Sequence, residues 1–413
     1  MVEFKKFQLA NGLKVLINED RTTPLVTINI LYFVGSRNEH PDKTGFAHLF
    51  EHLMFGGSIH IPSFDEPLQM VGGENNAFTS NDITNYYITL PADNIETGLW
   101  LESDRMLSLD FSAKSLKVQK NVVMEEYRQR YLNQPYGDIW LLLRPLVYKV
   151  HPYRWPTIGE KMDHISDATL RDVKAFFNTH YSPNNAYMAI SGNISPEDGI
   201  RLVEKWFGDI KQGTANKEEI LQEPVQTEER ILTVTRKVPF DAIYKAWHMP
   251  GRLDKGYYVC DMLTDLLSSG KSSRLYQILV KEKKLFSEVN AFVSGDFDPG
   301  ILVIGGKIME NVPVETANEA ILAILKDLSE TPVSERELKK IQNKYETNLL
   351  LNHTHALNKA MSLSYFEMLG DANLINEEIG KFCSITPEDV SRTSKHIFRN
   401  ENCSTLYYLA EKN

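Results

Sequence analysis

Cysteine is nearly missing from this 413-residue chain: three thiols, Cys260, Cys383 and Cys403, stand far apart. An odd, scattered set makes neither a disulfide framework nor a Cys-x-x-Cys metal site. Long apolar runs are missing too. No segment approaches the ~20 residues of a membrane span, and the stretch Leu141–Val150 is broken by Arg144 and Pro145. The opening Met1-Val2-Glu3-Phe4-Lys5-Lys6-Phe7-Gln8 has no apolar centre of the kind a secretion signal carries. Positive charge is in deficit, 45 Lys and Arg against 55 Asp and Glu, a net charge of −10. That balance argues against a nucleic-acid or anionic-membrane partner. The expectation is a cytoplasmic protein, with no nucleic acid and no membrane among its partners.

What remains is an ordinary globular composition, 42% hydrophobic and 24% charged, in a chain too long for one core. One stretch departs from the ordinary. Gly45 to Gly57 is apolar with helical periodicity, yet carries His48, Glu51 and His52. On a helix the two histidines, four apart, share a face about one turn apart. That spacing lets two imidazoles reach one tetrahedral Zn²⁺, leaving room for a third protein ligand and a water. Glu51 then sits where it can take a proton from that water. A lone histidine on an apolar helix is usually structural, but two with a glutamate between them form His-x-x-Glu-His, the reverse of the familiar zinc helix.

A third ligand has to come from elsewhere in the chain, and the helix-period run Gln119–Arg128 carries a carboxylate pair, Glu125 and Glu126. With His-x-x-Glu-His upstream, Asn121-Val122-Val123-Met124-Glu125-Glu126-Tyr127-Arg128 resembles the third-ligand helix of the pitrilysin/insulinase family of zinc peptidases, the inverzincins. In that pattern the ligand is the second carboxylate, so the resemblance implies Glu126, which follows His52 by 74 positions. Family members often carry Glu seven residues before the ligand, where this chain has Gln119; a neutral amide there softens the field around the metal. Asn76-Ala77-Phe78-Thr79-Ser80 and Thr84-Asn85-Tyr86-Tyr87 are similar to the family's substrate-edge strand. That resemblance implies that Asn76, Ala77 and Phe78 touch an extended peptide added as a strand; by spacing alone the segment reads as an ordinary central strand. The loop His151–Gly159 also matches, and His151 is given no metal role.

Strands are expected at Leu13–Ile17, Leu25–Val34 and Ala186–Ser191, with helices over Ala92–Leu107, Lys114–Tyr131 and Ser166–Phe177. From Asp209 to Glu229 large apolar residues thin out, marking a linker at 213–228 between a zinc-binding domain, 1–212, and a second domain, 229–413. The second half repeats the programme: strands near Ile231–Thr235 and Ala242–Trp247, then helices at Gly256–Leu267, Val314–Leu328 and Ser334–Leu351. Ile385-Thr386-Pro387-Glu388-Asp389-Val390 echoes Ile165-Ser166-Asp167-Ala168-Thr169-Leu170. The fold class is therefore α+β, a duplication of two homologous domains, each a mixed, mostly antiparallel sheet packed with helices. A coarse overlay sets Asp261, Thr264 and Asp265 against His48, Glu51 and His52, so the second half has no metal triad.

In the family this resembles, the second half of the same or a partner chain supplies an Arg and a Tyr seven residues apart for the substrate carbonyl. Here Val280 and Ser287 stand in those places. The resemblance thus implies a zinc metalloendopeptidase for extended or unstructured peptides, with one Zn²⁺ per chain on His48, His52 and Glu126, and Glu51 as general base. It further implies a homologous partner subunit, lacking the zinc motif, that brings the missing pair, as in mitochondrial processing peptidase. Three other readings stand beside this one. Arg274 and Tyr276 substitute for the pair; the chain is a homodimer active unaided; or it is a non-catalytic structural or peptide-binding subunit.

Overall fold

The computed structural model describes residues 1–214, 219–295 and 297–411. The expected linker, 213–228, includes residues 215–218, which lie outside that set. Eleven strands occur among the described residues: β1 Lys5–Gln8, β2 Lys14–Glu19, β3 Leu25–Tyr32, β4 Glu74–Thr79, β5 Thr84–Pro91, β6 Ala186–Gly192, β7 Arg230–Arg236, β8 Ala242–His248, β9 Phe286–Ser294, β10 Ile301–Ile308 and β11 Cys403–Ala410. The longer helices that matter here are α1 Phe46–Phe55, α2 Ile95–Leu107, α3 Ala113–Tyr127, α4 Ile139–Val147, α5 Leu170–His180, α6 Lys255–Ser268, α7 Val314–Glu330, α8 Glu335–Asn352, α9 Ala356–Met368 and α10 Pro387–Ile397.

Set out in chain order, the duplication is explicit. β2-β3-α1-β4-β5-α2-α3-α4-α5-β6 is followed by β7-β8-α6-β9-β10-α7-α8-α9-α10-β11. The sheets repeat as well, with orders β1-β2-β6-β3-β5-β4 and β7-β11-β8-β10-β9. In the first sheet β6 slips between β2 and β3, and in the second β11 between β7 and β8, each parallel to the earlier neighbour and antiparallel to the later. The α+β class and mostly antiparallel pairing follow directly.

The compact units, however, are not the two consecutive halves 1–212 and 229–413. One comprises 1–129, 155–220 and 349–377, and the other 130–154, 221–348 and 378–413. Each half therefore lends one helix to the other's sheet. In the first unit β3 is buried on both faces, Ile28 on one and Asn29 on the other. Gly98 of α2 lies against Ile28, where a Cβ would come within 2.8 Å of Cδ1. The opposite face takes α9, from the second half of the sequence. Asn29 Nδ2 donates to Ser364 Oγ at 2.7 Å, Lys359 pairs with Asp20 at 2.5 Å and Glu367 with Lys6 at 2.6 Å. In the second unit α4 plays the reciprocal part, its Ile139, Leu143 and Val147 packing on Ala242, Ala246, Val303 and Leu406. Tyr408 and Arg236 fix the helix start by bonding Asp138. A contiguous division is natural from composition because nothing local in a helix's sequence says which sheet will cover it.

Two element boundaries also differ from expectation. The helix over Ser166–Phe177 is in fact a short turn, Met162–Ser166, followed by α5. Thr169 caps α5 through a box with Asp172, and Thr386 caps α10 through a box with Asp389. The true echo therefore pairs Thr169 with Thr386, three residues on from the match by sequence. The helix over Lys114–Tyr131 ends at Tyr127 and continues as a π-turn, Arg128–Leu132.

Candidate metal centre

Helix α1 forms because its apolar positions, Phe46, Ala47, Leu49, Phe50, Leu53 and Met54, make one buried face. That face rests on an aromatic layer, Phe50 lying 5.1 Å from both Phe176 and Tyr181 by ring centroids. The helix starts at Gly45, whose φ of 89° and tight approach to the Ile158 carbonyl exclude a side chain. The opposite face presents His48, Glu51 and His52.

Helix α3 runs beside α1, started by the Ser112 hydroxyl, which accepts from Ser115 N–H. Two bonds from α3 reach the 160–168 segment: Lys120 Nζ donates to the Ala168 carbonyl and the Tyr127 hydroxyl to the Glu160 carbonyl. The same segment returns to the start of α1, where Glu160 N–H donates to Thr44 Oγ1 at 2.7 Å. These ties hold Glu126 against the two histidines. Glu126 Oε2 lies 3.6 Å from His48 Nε2 and 3.5 Å from His52 Nε2. Donors 2.0–2.1 Å from a tetrahedral centre stand about 3.3–3.5 Å apart, and the two separations from Glu126 are close to that range. Among the described residues this is the sole group of three or more His, Cys, Asp or Glu donors within 4.8 Å of one another. The three side chains are only 13%, 25% and 19% exposed, yet each keeps a solvent-facing edge. Glu125, the other member of the pair, is 54% exposed and bonds Arg128 and Gln129. Of the pair, Glu126 is the carboxylate that lies beside the two histidines.

Glu51 shares the polar face, and Thr79 Oγ1 donates to its Oε2 at 2.6 Å. Sequence reasoning passed over Thr79, although it ends the very strand singled out for substrate. That strand, β4, lies at the sheet's edge rather than its centre, with β5 as its one neighbour. Asn76 and Phe78 are exposed and Ala77 is half-buried. Glu39 was also missed; it is buried at the start of α1, and its only signal is an acidic residue six positions before a glycine.

The equivalent place in the second unit is filled differently. On α6, Asp265 pairs with Lys344 of α8 at 3.0 Å, and the carboxyl of Asp261, hydrogen-bonded to Tyr345, is pushed up to about 6, chiefly by burial. Arg274 is paired with Glu337 and Asp327. Val280 falls in a π-turn, Tyr276–Glu282, and Ser287 is an exposed residue of β9. No helix of the described residues is long and apolar enough to cross a membrane.

Comparison with known proteins agrees with this architecture. A family model described as insulinase, peptidase family M16, matches residues 14–136. A second, described as the peptidase M16 inactive domain, matches residues 167–345. The zinc protease PqqE of Helicobacter pylori is 29% identical over 407 residues, 97% of this chain and 91% of that protein. An uncharacterized zinc protease of Bacillus subtilis, YmxG, is 26% identical over 409 residues, 97% of each. Among solved structures, a protease from Helicobacter pylori superposes with a TM-score of 0.93 at 28% identity, covering 99% of this chain and all of that one.

Proposed function

We propose, from the premise that this chain belongs to the insulinase family of peptidases, family M16, that it is a zinc-dependent metalloendopeptidase acting on extended or unstructured peptides. The observation that carries this reading is the convergence of His48, His52 and Glu126 beside Glu51 on a half-buried face. The donor set suits the ion. Two neutral imidazoles and one carboxylate are the ligands of several catalytic zinc sites, which keep a position open. When bound there, zinc supplies Lewis-acid polarisation of a scissile carbonyl and acidifies water beside it.

The rest of the chemistry belongs to the chain. Glu51 takes the proton of the attacking water on its carboxylate and returns it to the departing amine. Thr79 holds that carboxylate in place. The edge of β4 accepts the substrate's main chain as an added strand, with Asn76, Ala77 and Phe78 alongside it, so selection rests little on side chains. A donor for the developing oxyanion, worth about 3–4 kcal/mol in comparable sites, is not supplied by Val280 or Ser287, and Arg274 is already bound. A homologous partner chain without the zinc motif, bearing Arg and Tyr at those positions, completes the site in this reading.

The purified chain should carry about one equivalent of zinc. Glu51→Gln should retain the zinc and lose cleavage of an unstructured peptide, measured with the partner present. Cleavage at an undiminished rate by Glu51→Gln, or a chain that takes up no zinc, defeats the proposal.

A further inference from the structure

Helix α1 has an unusual start. Its N-cap, Gly45, has no side chain to accept from the first-turn N–H groups, and a helix leaves those donors unsatisfied unless something else reaches them. Here a residue from well outside the helix does so. Glu39, 6% exposed, accepts from Gly45 N–H through Oε2 and from Ala47 N–H through Oε1, both at 2.8 Å. Burial pushes the Glu39 carboxyl up, while these two bonds and the Trp155 indole pull the other way and favour its ionised form. A carboxyl is kept in so costly a place where its two oxygens are both engaged.

The two histidines depend on this arrangement unequally. His48 lies in the first turn, next to Ala47, whereas His52 lies a turn further on, where backbone bonds within the helix suffice. Helix ends fray when their caps are lost. Releasing Gly45 and Ala47 therefore shifts His48 relative to His52 and Glu126, and leaves the rest of the helix on its aromatic bed.

We infer that Glu39 is a positioning residue for the metal centre: its carboxylate, bridging two backbone N–H groups at the start of α1, sets the place of His48 and so the affinity of the site for zinc. This inference rests on the zinc reading above. Residues that orient a ligand from outside commonly carry 10–100-fold in affinity, and an effect of about that size is expected here.

The test compares metal-free full-length chains by chelator competition with Zn²⁺ and by the visible spectrum of bound Co²⁺, neither of which needs catalysis. Glu39→Gln keeps the shape but turns an amide –NH₂ towards a backbone N–H, and should weaken zinc about 10–100-fold and alter the cobalt spectrum. Glu39→Asp keeps the charge but is one methylene short, and should weaken zinc less. Val203→Ala, in the buried face of the helix Pro196–Phe207, lowers the melting temperature without touching α1 and should leave zinc affinity unchanged. Glu39→Gln binding zinc within twofold of wild type overturns the inference. So does a Val203→Ala loss of affinity as large as that of Glu39→Gln. If Glu39→Gln does not fold, Glu39→Asp decides by the same twofold limit. A wild-type chain that takes up no zinc instead refutes the zinc reading itself, so the two failures are distinguishable.

Discussion

Replacing Glu126 by Gln removes the charge of the third donor and keeps its volume, which leaves a weak neutral oxygen in its place. Zinc held by four ligands in small peptides gains about 10–16 kcal/mol, so one donor's share is roughly 3 kcal/mol. At 1.4 kcal/mol per decade, that is about a 100-fold to 1,000-fold weaker site. The neighbouring carboxyl cannot make up the loss, because Glu125 is 54% exposed and bonded to Arg128 and Gln129. Glu125→Gln should therefore leave zinc affinity within about twofold. Thermal unfolding gives a second reading of the same quantity. With free zinc at ~100 times the wild-type dissociation constant, binding adds about 2.7 kcal/mol to the native state, and Glu126→Gln should gain less than about 0.5 kcal/mol. Equal losses from Glu125→Gln and Glu126→Gln, by competition and by melting, would refute the assignment of the donor set.

Three further outcomes are expected. Thr79→Val should lower kcat on a peptide substrate about tenfold with zinc content unchanged, and Thr79→Ser, which keeps the donor to Glu51, should restore most of it. Leu363→Ala, at a fully buried position of α9, should cost about 2–5 kcal/mol, and hydrogen exchange should show the lost protection in β2, β3 and β6 of the first sheet. The Lys359 hydrogen bond, aided by Thr22, holds the carboxyl of Asp20 at about 2 against an ordinary 3.8. Because the folded value is the lower one, the pair stabilises fully above pH ~4 and fades as pH falls towards 2. The melting difference between wild type and Lys359→Met should accordingly shrink over that interval, and a constant difference would show that the pair contributes nothing.

The local parts of the site were legible. The i, i+4 relation of His48 and His52 is a property of one helix, and the apolar face that buries it is written in consecutive residues. The strands and helices of both halves lie within a few residues of the periodic segments because hydrophobic alternation is itself local. The echo of the second half was readable too, although its register slipped by three. Ser166 and Thr169 are both plausible caps, and only the hydrogen bond to Asp172 N–H separates them.

Whatever required two distant segments to meet was not legible in that way. Glu126 and Glu125 are equivalent by spacing; a family resemblance pointed to the former, and the packing of α3 on α1 brings it to the histidines. The edge position of β4, the bond from Thr79 to Glu51, and the reach of Glu39 to Gly45 and Ala47 are all decided by how strands and loops stack. So is the exchange of α4 and α9 between units, since an amphipathic helix carries a face to bury but no address for it. Sequence alone determined that this chain carries a two-histidine helix, repeats itself, and lacks the residues of a triad in its second half. Tertiary structure decided which carboxylate joins the histidines, which sheet each exchanged helix covers and what holds Glu51, because a hydrogen bond or a buried contact depends on distance in space, and distance along the chain does not fix it.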